Sequence, residues 1–329
     1  MGYATNLPSD RWIFRELILR GRLRGGRPRL RFEFFSKCPT VLATRFGRVP
    51  APGRIIKSLT ADTNLRMFTS SANSSAPLKV RSGAEVSFQS DVGCHRENNE
   101  DSFGYWEPED DRQFERKGRL AVVADGMGGY EGGQEASRLA VETIVSAYRD
   151  FAGDDPQEAL TAALQAAHEQ IRQYALAHPH LRGMGTTCTT IAIAHDSLYY
   201  VHVGDTRLYR VRGGQISQVT RDHSYVGKLV EAGMITREDA EKHPQRNILT
   251  AALGTTPDLV MDSPALPEPL ASGDVLVLCS DGLWGQVHDP EILEALAARS
   301  AEEASRSLIQ LARERGGPDN ITVAILRLR

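Results

Sequence analysis

The chain predicts an α+β domain built from layered sheets and helices, and three observations carry that prediction. Short apolar runs at 121–124, 198–203 and 275–278 have the length and composition of buried strands. Helical periods come in consecutive pairs, 136–149 with 155–177 and 291–298 with 302–315, and do not alternate strictly with strands. The run 207–212 meets 215–219 through Gly213-Gly214, a hairpin signal that points to antiparallel pairing.

Taken in order, the folded region starts near Val80. Residues 85–90 make a first strand, and 90–101 follow as a polar loop. The charged stretch 110–117 reads as a mobile turn ahead of the strand that ends in Asp125. Residues 136–149 place Ala140, Ile144, Ala147 and Tyr148 at helical spacing, a face for the core and not for a second copy, so a monomer is expected. The next helix opens with Asp155 as N-cap and Pro156 at its first position, where a missing N–H costs nothing, and runs to about Ala177. Strands at 187–194 and 198–203 precede the glycine hairpin. A polar helical insertion occupies 222–244, a strand returns at 274–280, and 321–328 closes the fold as a strand. No internal repeat is visible.

The 329 residues suffice for one large domain or two small ones, and 41% apolar with 25% charged residues is ordinary globular composition. No apolar run approaches the roughly 18 residues that a membrane-spanning helix needs. The cysteines, Cys38, Cys94, Cys188 and Cys279, form no CxxC pair, which predicts free thiols in a reducing, cytoplasmic setting, with Cys188 and Cys279 packed in the core. The net charge of −3 conceals an asymmetry: residues 1–66 hold 14 Lys and Arg against 4 Asp and Glu, a net of +10, and the remainder nets −13. An acidic body argues against nucleic-acid binding by the folded domain. Residues 1–79 form a basic extension without sustained period, expected to lack fixed structure. It reads as an Arg-rich targeting peptide, as a basic arm for membranes or nucleic acid, or as an over-extended start with Met67 as the initiator. The last reading is favoured, because nothing in the stretch feeds the core.

The chemistry gathers around carboxylates at strand ends. Ala121-Val122-Val123-Ala124 runs into Asp125, then Gly126-Met127-Gly128-Gly129, whose glycines let backbone carbonyls approach a ligand. Strand-like runs also end in Asp205 and Asp281, and Asp319 sits just ahead of one. A structural turn explains one such aspartate, but four meeting at a sheet edge repel each other unless cations share them. Carboxylates and carbonyls are hard ligands that suit Mg²⁺ or Mn²⁺ better than Zn²⁺. One aspartate bridging two ions, with a water between them, is the arrangement of phosphoester hydrolysis. Arg96 could grip phosphate oxygens bidentately, against the plainer reading of a surface arginine paired with Glu97 or Glu100. His95 and His223 could shuttle protons, though satisfied surface histidines are the commoner case.

Six motifs then occur in order: Ser90-Asp91-Val92-Gly93 with Arg96 and Asn99-Glu100-Asp101; Asp125-Gly126-Met127-Gly128-Gly129; Gly185-Thr186-Thr187; Val203-Gly204-Asp205-Thr206-Arg207; Ser280-Asp281-Gly282; and Asp319-Asn320-Ile321-Thr322. Over residues 80–329 the chain resembles the metal-dependent serine/threonine protein phosphatases of the type 2C class, in their compact bacterial form. The resemblance implies a four-layer αββα sandwich, two stacked antiparallel sheets flanked by antiparallel helix pairs, with a mobile flap at about 222–250. It implies hydrolysis of phosphoserine and phosphothreonine in phosphorylated proteins, opposing a cognate serine/threonine kinase, with two Mn²⁺ or Mg²⁺ ions. Asp125 would bridge both ions, the Gly126 carbonyl would bind one, and Asp281 and Asp319 would complete the first shell. Glu100 and Asp101 would hold metal-bound waters, Arg96 the substrate phosphate, and Asp205 a weaker third ion.

Two positions depart from the wider pattern. Met127 stands where many eukaryotic relatives have a histidine, and a thioether cannot donate a proton. Gly285 stands where the family often has another aspartate, which bears on the third ion and not on the pair. One rival, a phosphoprotein-binding module, does not need the carboxylates Asp125, Asp281 and Asp319. A second, a nucleotide-binding protein, lacks the Gly-Lys-Ser/Thr of a P-loop and has Glu131 where a dinucleotide fingerprint needs glycine. A chain shortened to begin at Met67 is expected to keep both folding and activity. Loss of either, by thermal melting or phosphate release, would assign the upstream segment a role in the domain.

Overall fold

Two antiparallel sheets, stacked face to face between two helical layers, place every strand-borne candidate residue. The structure, a computed structural model, describes residues 67–69, 80–297 and 299–329. The basic run of residues 1–66 and the segment 70–79 lie outside the described residues. The first half comprises β1 (Met67–Thr69), β2 (Ala84–Asp91), β3 (Asp101–Trp106), α1 (Asp111–Lys117), β4 (Arg119–Met127), α2 (Tyr130–Asp150) and α3 (Pro156–Ala177). Then come β5 (Gly185–Thr186), β6 (Cys188–Ala194), β7 (Ser197–Val203), β8 (Arg207–Arg212), β9 (Gln215–Gln218), α4 (Tyr225–Glu231) and α5 (Arg237–Glu241). The chain ends with β10 (Glu268–Pro269), β11 (Val275–Cys279), α6 (Asp281–Trp284), α7 (Asp289–Leu296), α8 (Ala301–Glu314) and β12 (Ile321–Leu328). One sheet runs β1-β3-β4-β6-β7-β10 with β5 beside β4, and the other runs β2-β12-β11-β8-β9.

Alternation along the strands divides the apolar residues among three cores. On β4, Leu120, Val122 and Ala124 face α2 and α3, meeting Val141, Ile144, Leu160 and Leu164. The intervening Ala121 and Val123 face the other sheet, with Phe103 and Tyr105 of β3, Phe88 of β2, Leu276 and Leu278 of β11, and Ala324 and Leu326 of β12. Phe88 and Phe103 stack across that interface with ring centres 5.1 Å apart. Val277, Val323 and Ile325 turn outward onto Ile292, Leu308 and Ala312 of α7 and α8. Three cores between four layers make the αββα sandwich, and each large side chain buried in them contributes about 1.5–3 kcal/mol.

The expected helix start at 155 is present: the Asp155 carboxylate accepts the Gln157 N–H at 2.8 Å, with Pro156 at the first helical position. Gly213 and Gly214 have φ of +58° and +76°, the left-handed pair that a two-residue hairpin turn requires. Two readings need correction, and one strand has no counterpart in the sequence pattern. Residues 110–117 form a capped helix and not a turn: Asp110 accepts the Gln113 N–H at 2.8 Å, and Lys117 donates to the Phe151 and Gly153 carbonyls at 2.7 and 3.1 Å. Its charges hide the helix from an apolar count. The strand β3, buried along its whole length, has no alternation to reveal it and begins with an aspartate. The strand β1 pairs with Ser102–Gly104 and so lies upstream of Val80, where the apolar pattern starts; three residues are too few to register as a strand. The insertion consists of two short helices, capped by Ser224 and Thr236 and tied back where the Thr250 N–H meets the His223 carbonyl at 2.7 Å.

Gly104 shows how closely β3 is pressed onto α2. A Cβ there would stand 2.7 Å from Val141 Cγ1 and 3.3 Å from Val145 Cγ2. Gly104→Ala is expected to destabilise the fold by about 1–3 kcal/mol through overpacking, read as a lower midpoint in urea. An unchanged midpoint would show that the layers part easily there.

Candidate metal and phosphate site

The face that carries the inter-sheet core turns polar at one end of the strands. On β3 and β4, Asp101 and Asp125 continue the series of Phe103 and Tyr105 and of Ala121 and Val123, and the register sets them directly opposite each other. Cross-strand partners point to one side, so two carboxylates close the interior together. The same alternation brings Ser280 after Leu278, Thr322 before Ala324 and Ser90 after Phe88 to this end. Ser280 Oγ donates to Asp101 Oδ2 at 2.7 Å and accepts the Thr322 N–H at 3.0 Å, while Ser90 and Thr322 hydroxyls meet at 2.7 Å.

The remaining candidates come from turns around that end. Asp281 opens α6 directly after β11, and Asp205 follows β7 with its carbonyl held by Trp284 Nε1 at 2.9 Å. Asp319, just before β12, receives Arg96 Nη2 at 2.7 Å. The Glu100 carboxylate lies over the first turn of α2, where a Cβ on Gly133 would come within 1.9 Å of its Oε2. Gly126 sits in a cradle that excludes any side chain, since a Cβ would be 2.1 Å from the Gly133 carbonyl oxygen and 2.7 Å from that of Glu100. The Asp125 carbonyl accepts from the Thr187 N–H and Thr186 Oγ1, both at 2.8 Å, which fixes the strand just before the glycine.

Burial dominates the electrostatics. Desolvation pushes Asp101 up to about 7 against the pull of the Thr322 and Ser280 hydrogen bonds. It pushes Asp281 up to about 6, with Asp319 adding to the rise and Arg96 opposing it. Asp125 is raised well above the carboxylate range by desolvation and then by Asp101, Asp281, Asp205 and Asp319; Asp205 is raised likewise by desolvation and Asp281. Glu100 is raised chiefly by burial. Among the described residues, no three His, Cys, Asp or Glu side chains already form a tight ligand cluster. Their charge is opposed by Arg96, whose Nη2 lies on Asp319.

The donor set nevertheless fits hard divalent cations. Asp101 Oδ1 and Asp281 Oδ1 are buried acceptors that no donor reaches, an expensive state for carboxylate oxygens unless a cation takes their lone pairs. Every contributor is an oxygen, as Mg²⁺ and Mn²⁺ prefer.

All the candidates that the sequence marks therefore lie around one end of the inter-sheet core, with Arg96 exposed at its rim. His223 is a satisfied histidine: Nδ1 accepts the Gly204 N–H at 3.3 Å, and Nε2 faces Asp262 at 3.3 Å. His95 is exposed. The sequence pattern does not mark Ser280, Thr322 and Asn320 as functional side chains, although all three stand inside the six ordered motifs. The pairing of β12 with β2 and β11 is what gives them their partners.

The profile of protein phosphatase 2C matches residues 96–314. The serine/threonine protein phosphatase PstP of Mycobacterium tuberculosis is 40% identical over 240 residues, 72% of this chain and 43% of that protein, so the chain spans less than half the length of this relative. The protein phosphatase PhpP of Streptococcus pneumoniae is 35% identical over 249 residues, 74% of this chain and 97% of its own. A crystal structure of the catalytic domain of a PstP in complex with two manganese ions superposes with a TM-score of 0.64 at 35% identity, covering 75% of this chain and 98% of the other. The ordered motifs, the αββα layers and these likenesses agree, and the chain belongs to the protein phosphatase 2C family.

Proposed function

We propose that the chain hydrolyses phosphoserine and phosphothreonine in proteins with the aid of two Mg²⁺ or Mn²⁺ ions, and thereby opposes a serine/threonine kinase in the cytoplasm. The observation that carries this reading is the gathering of Asp101, Asp125, Asp281 and Asp319 at one end of the interior, with Asp101 Oδ1 and Asp281 Oδ1 buried and lacking donors. When bound, the ions would lower the pKa of a water and neutralise phosphoryl oxygens. Asp125 would be the shared ligand, beside the Gly126 carbonyl; Asp281 and Asp319 would complete one shell, Glu100 and Asp101 would hold waters, and Asp205 would serve a weaker third ion.

Arg96 supplies the substrate contact, its fork of donors matching two phosphate oxygens. A water oxygen bonds to phosphorus, the bond from phosphorus to the serine or threonine oxygen breaks, and the leaving oxygen takes a proton. The thioether of Met127 cannot give that proton, and both ring nitrogens of His223 are engaged, so solvent water is its source. The product pair is the free hydroxyl side chain and inorganic phosphate.

Phosphate release from a phosphothreonine peptide by the full chain tests the reading. Turnover is expected with Mn²⁺ or Mg²⁺, none with chelator, and a loss of at least about a hundredfold in Asp125→Asn. Folded, metal-loaded protein without turnover would leave phosphoprotein binding as the better account. The raised carboxyls make a second prediction. Asp101 and Asp281, at about 7 and about 6, keep protons in the fold that the unfolded chain has shed. Chelator-treated protein should lose stability as pH rises from 3.8 through about 7, and Mn²⁺ at neutral pH should recover it, both read as thermal midpoints. A midpoint that climbs over that range in chelator would overturn this electrostatic account.

A further inference from the structure

Residues 92–100 connect β2 to β3, carry both Arg96 and Glu100, and contain no helix or strand. A guanidinium on such a connection can meet a phosphate at a defined height only if the connection is held. One buried side chain holds it at both ends. Asn320, 4% exposed, accepts the Glu100 N–H at Oδ1 over 2.8 Å, and its Nδ2 donates to the Val92 and Asn98 carbonyls, each at 2.9 Å. Both amide hydrogens and the amide oxygen are thereby used, and the bonds fall on residues 92, 98 and 100, bracketing Arg96.

The neighbouring geometry keeps this side chain in place. Asn320 N–H donates to Asp319 Oδ1 at 2.9 Å, and Arg96 reaches Asp319 Oδ2 at 2.7 Å, so consecutive residues 319 and 320 grip the connection by backbone and by side chain. Behind them Gly282 packs against the chain, where a Cβ would be 1.9 Å from the Asn320 carbonyl oxygen. In front, a Cβ on Gly93 would be 2.1 Å from the Asp319 carbonyl oxygen. The Cys94 N–H adds one more tie, to the Gly317 carbonyl at 2.8 Å.

We propose that Asn320 is a positioning residue for Arg96: its side-chain amide fixes the connection 92–100 before substrate arrives, and so sets the affinity for the phosphorylated residue. This rests on the reading that Arg96 takes the phosphate. A loop ordered in advance spares the binding step the entropy of ordering it, so release of the latch weakens binding more than it slows the chemistry that follows.

The test uses the full chain with Asn320→Ala, which removes the whole amide, and Asn320→Asp, which keeps its size but turns an acceptor toward two carbonyls. Hydrogen exchange of the amides in 92–100 should quicken in both variants while the central strands stay protected. KM for a phosphothreonine peptide should rise about tenfold with kcat within about twofold. In an Arg96→Ala background, adding either substitution should change KM by less than about twofold, because the residue acts through Arg96. A rise in KM that is equally large without Arg96 would overturn the positioning role, as would unchanged exchange in 92–100. If the wild type itself releases no phosphate with Mn²⁺, the phosphatase reading falls and the substrate half of this inference falls with it, while exchange still decides the latch.

Discussion

Carboxyl groups brought together at one half-buried end of the inter-sheet core are the constraint around which this protein is built. Asp101 is 1% exposed and Asp205 6%, and Asp125 is raised by four other acids at once. Each ionised group is opposed by desolvation and by its neighbours, so an unsupported cluster of this kind would push the strands apart or stay protonated. The three apolar cores hold it closed. Dozens of buried side chains at about 1.5–3 kcal/mol each are set against a few costly acids, and the hydroxyls of Ser280 and Thr322 reduce the cost where they lower Asp101. The instability is local and useful: the oxygens that no donor reaches are the ones with most to gain from a cation.

A second cluster ties the pieces of the site that no strand connects. Arg207 stacks its guanidinium 3.7 Å from the centre of the Trp284 ring and clasps Asp222 with Nε and Nη2 at 3.0 and 2.7 Å. Trp284 belongs to the short helix that begins with Asp281, and its indole N–H holds the Asp205 carbonyl. Asp222 stands at the root of the insertion 222–250. One arginine and one tryptophan thus join the Asp205 turn, the Asp281 helix and the insertion, with the half-buried Arg207 charge held between the Trp284 ring and the Asp222 carboxylate.

What the sequence made legible, and what it did not, follows from the range of the forces involved. The helix start at Asp155 and Pro156, the Gly213-Gly214 turn and the strand 321–328 are decided by neighbours in the chain, and they appear where the sequence puts them. The strand β3 is decided by burial on both faces, which no short window can display. The carboxylates were visible one by one as strand-end aspartates, but their convergence depends on register, and the division of ligand roles came only from resemblance. Asn320 and Ser280 stand in motifs whose aspartates draw the attention; their bonds to Glu100 and Asp101 reach more than a hundred residues along the sequence, across a pairing that only the fold supplies.

That dependence on register explains why the site can be so narrowly specified on a sheet. A shift of one residue in β12 would exchange its two faces, sending Ala324 and Leu326 toward the outer helices and Val323 and Ile325 into the inter-sheet core. Both sets are apolar, so hydrophobic burial alone discriminates weakly between the two registers. The polar end does discriminate. Only the observed register sets Thr322 opposite Ser90 and beside Ser280, and leaves Asn320 where its amide meets residues 92, 98 and 100. In the shifted register those buried donors and acceptors would lose their partners, at a cost of about 1–3 kcal/mol for each group left unsatisfied. The hydrogen-bonded rim that positions the acids is therefore also what selects the alignment of the strands beneath it.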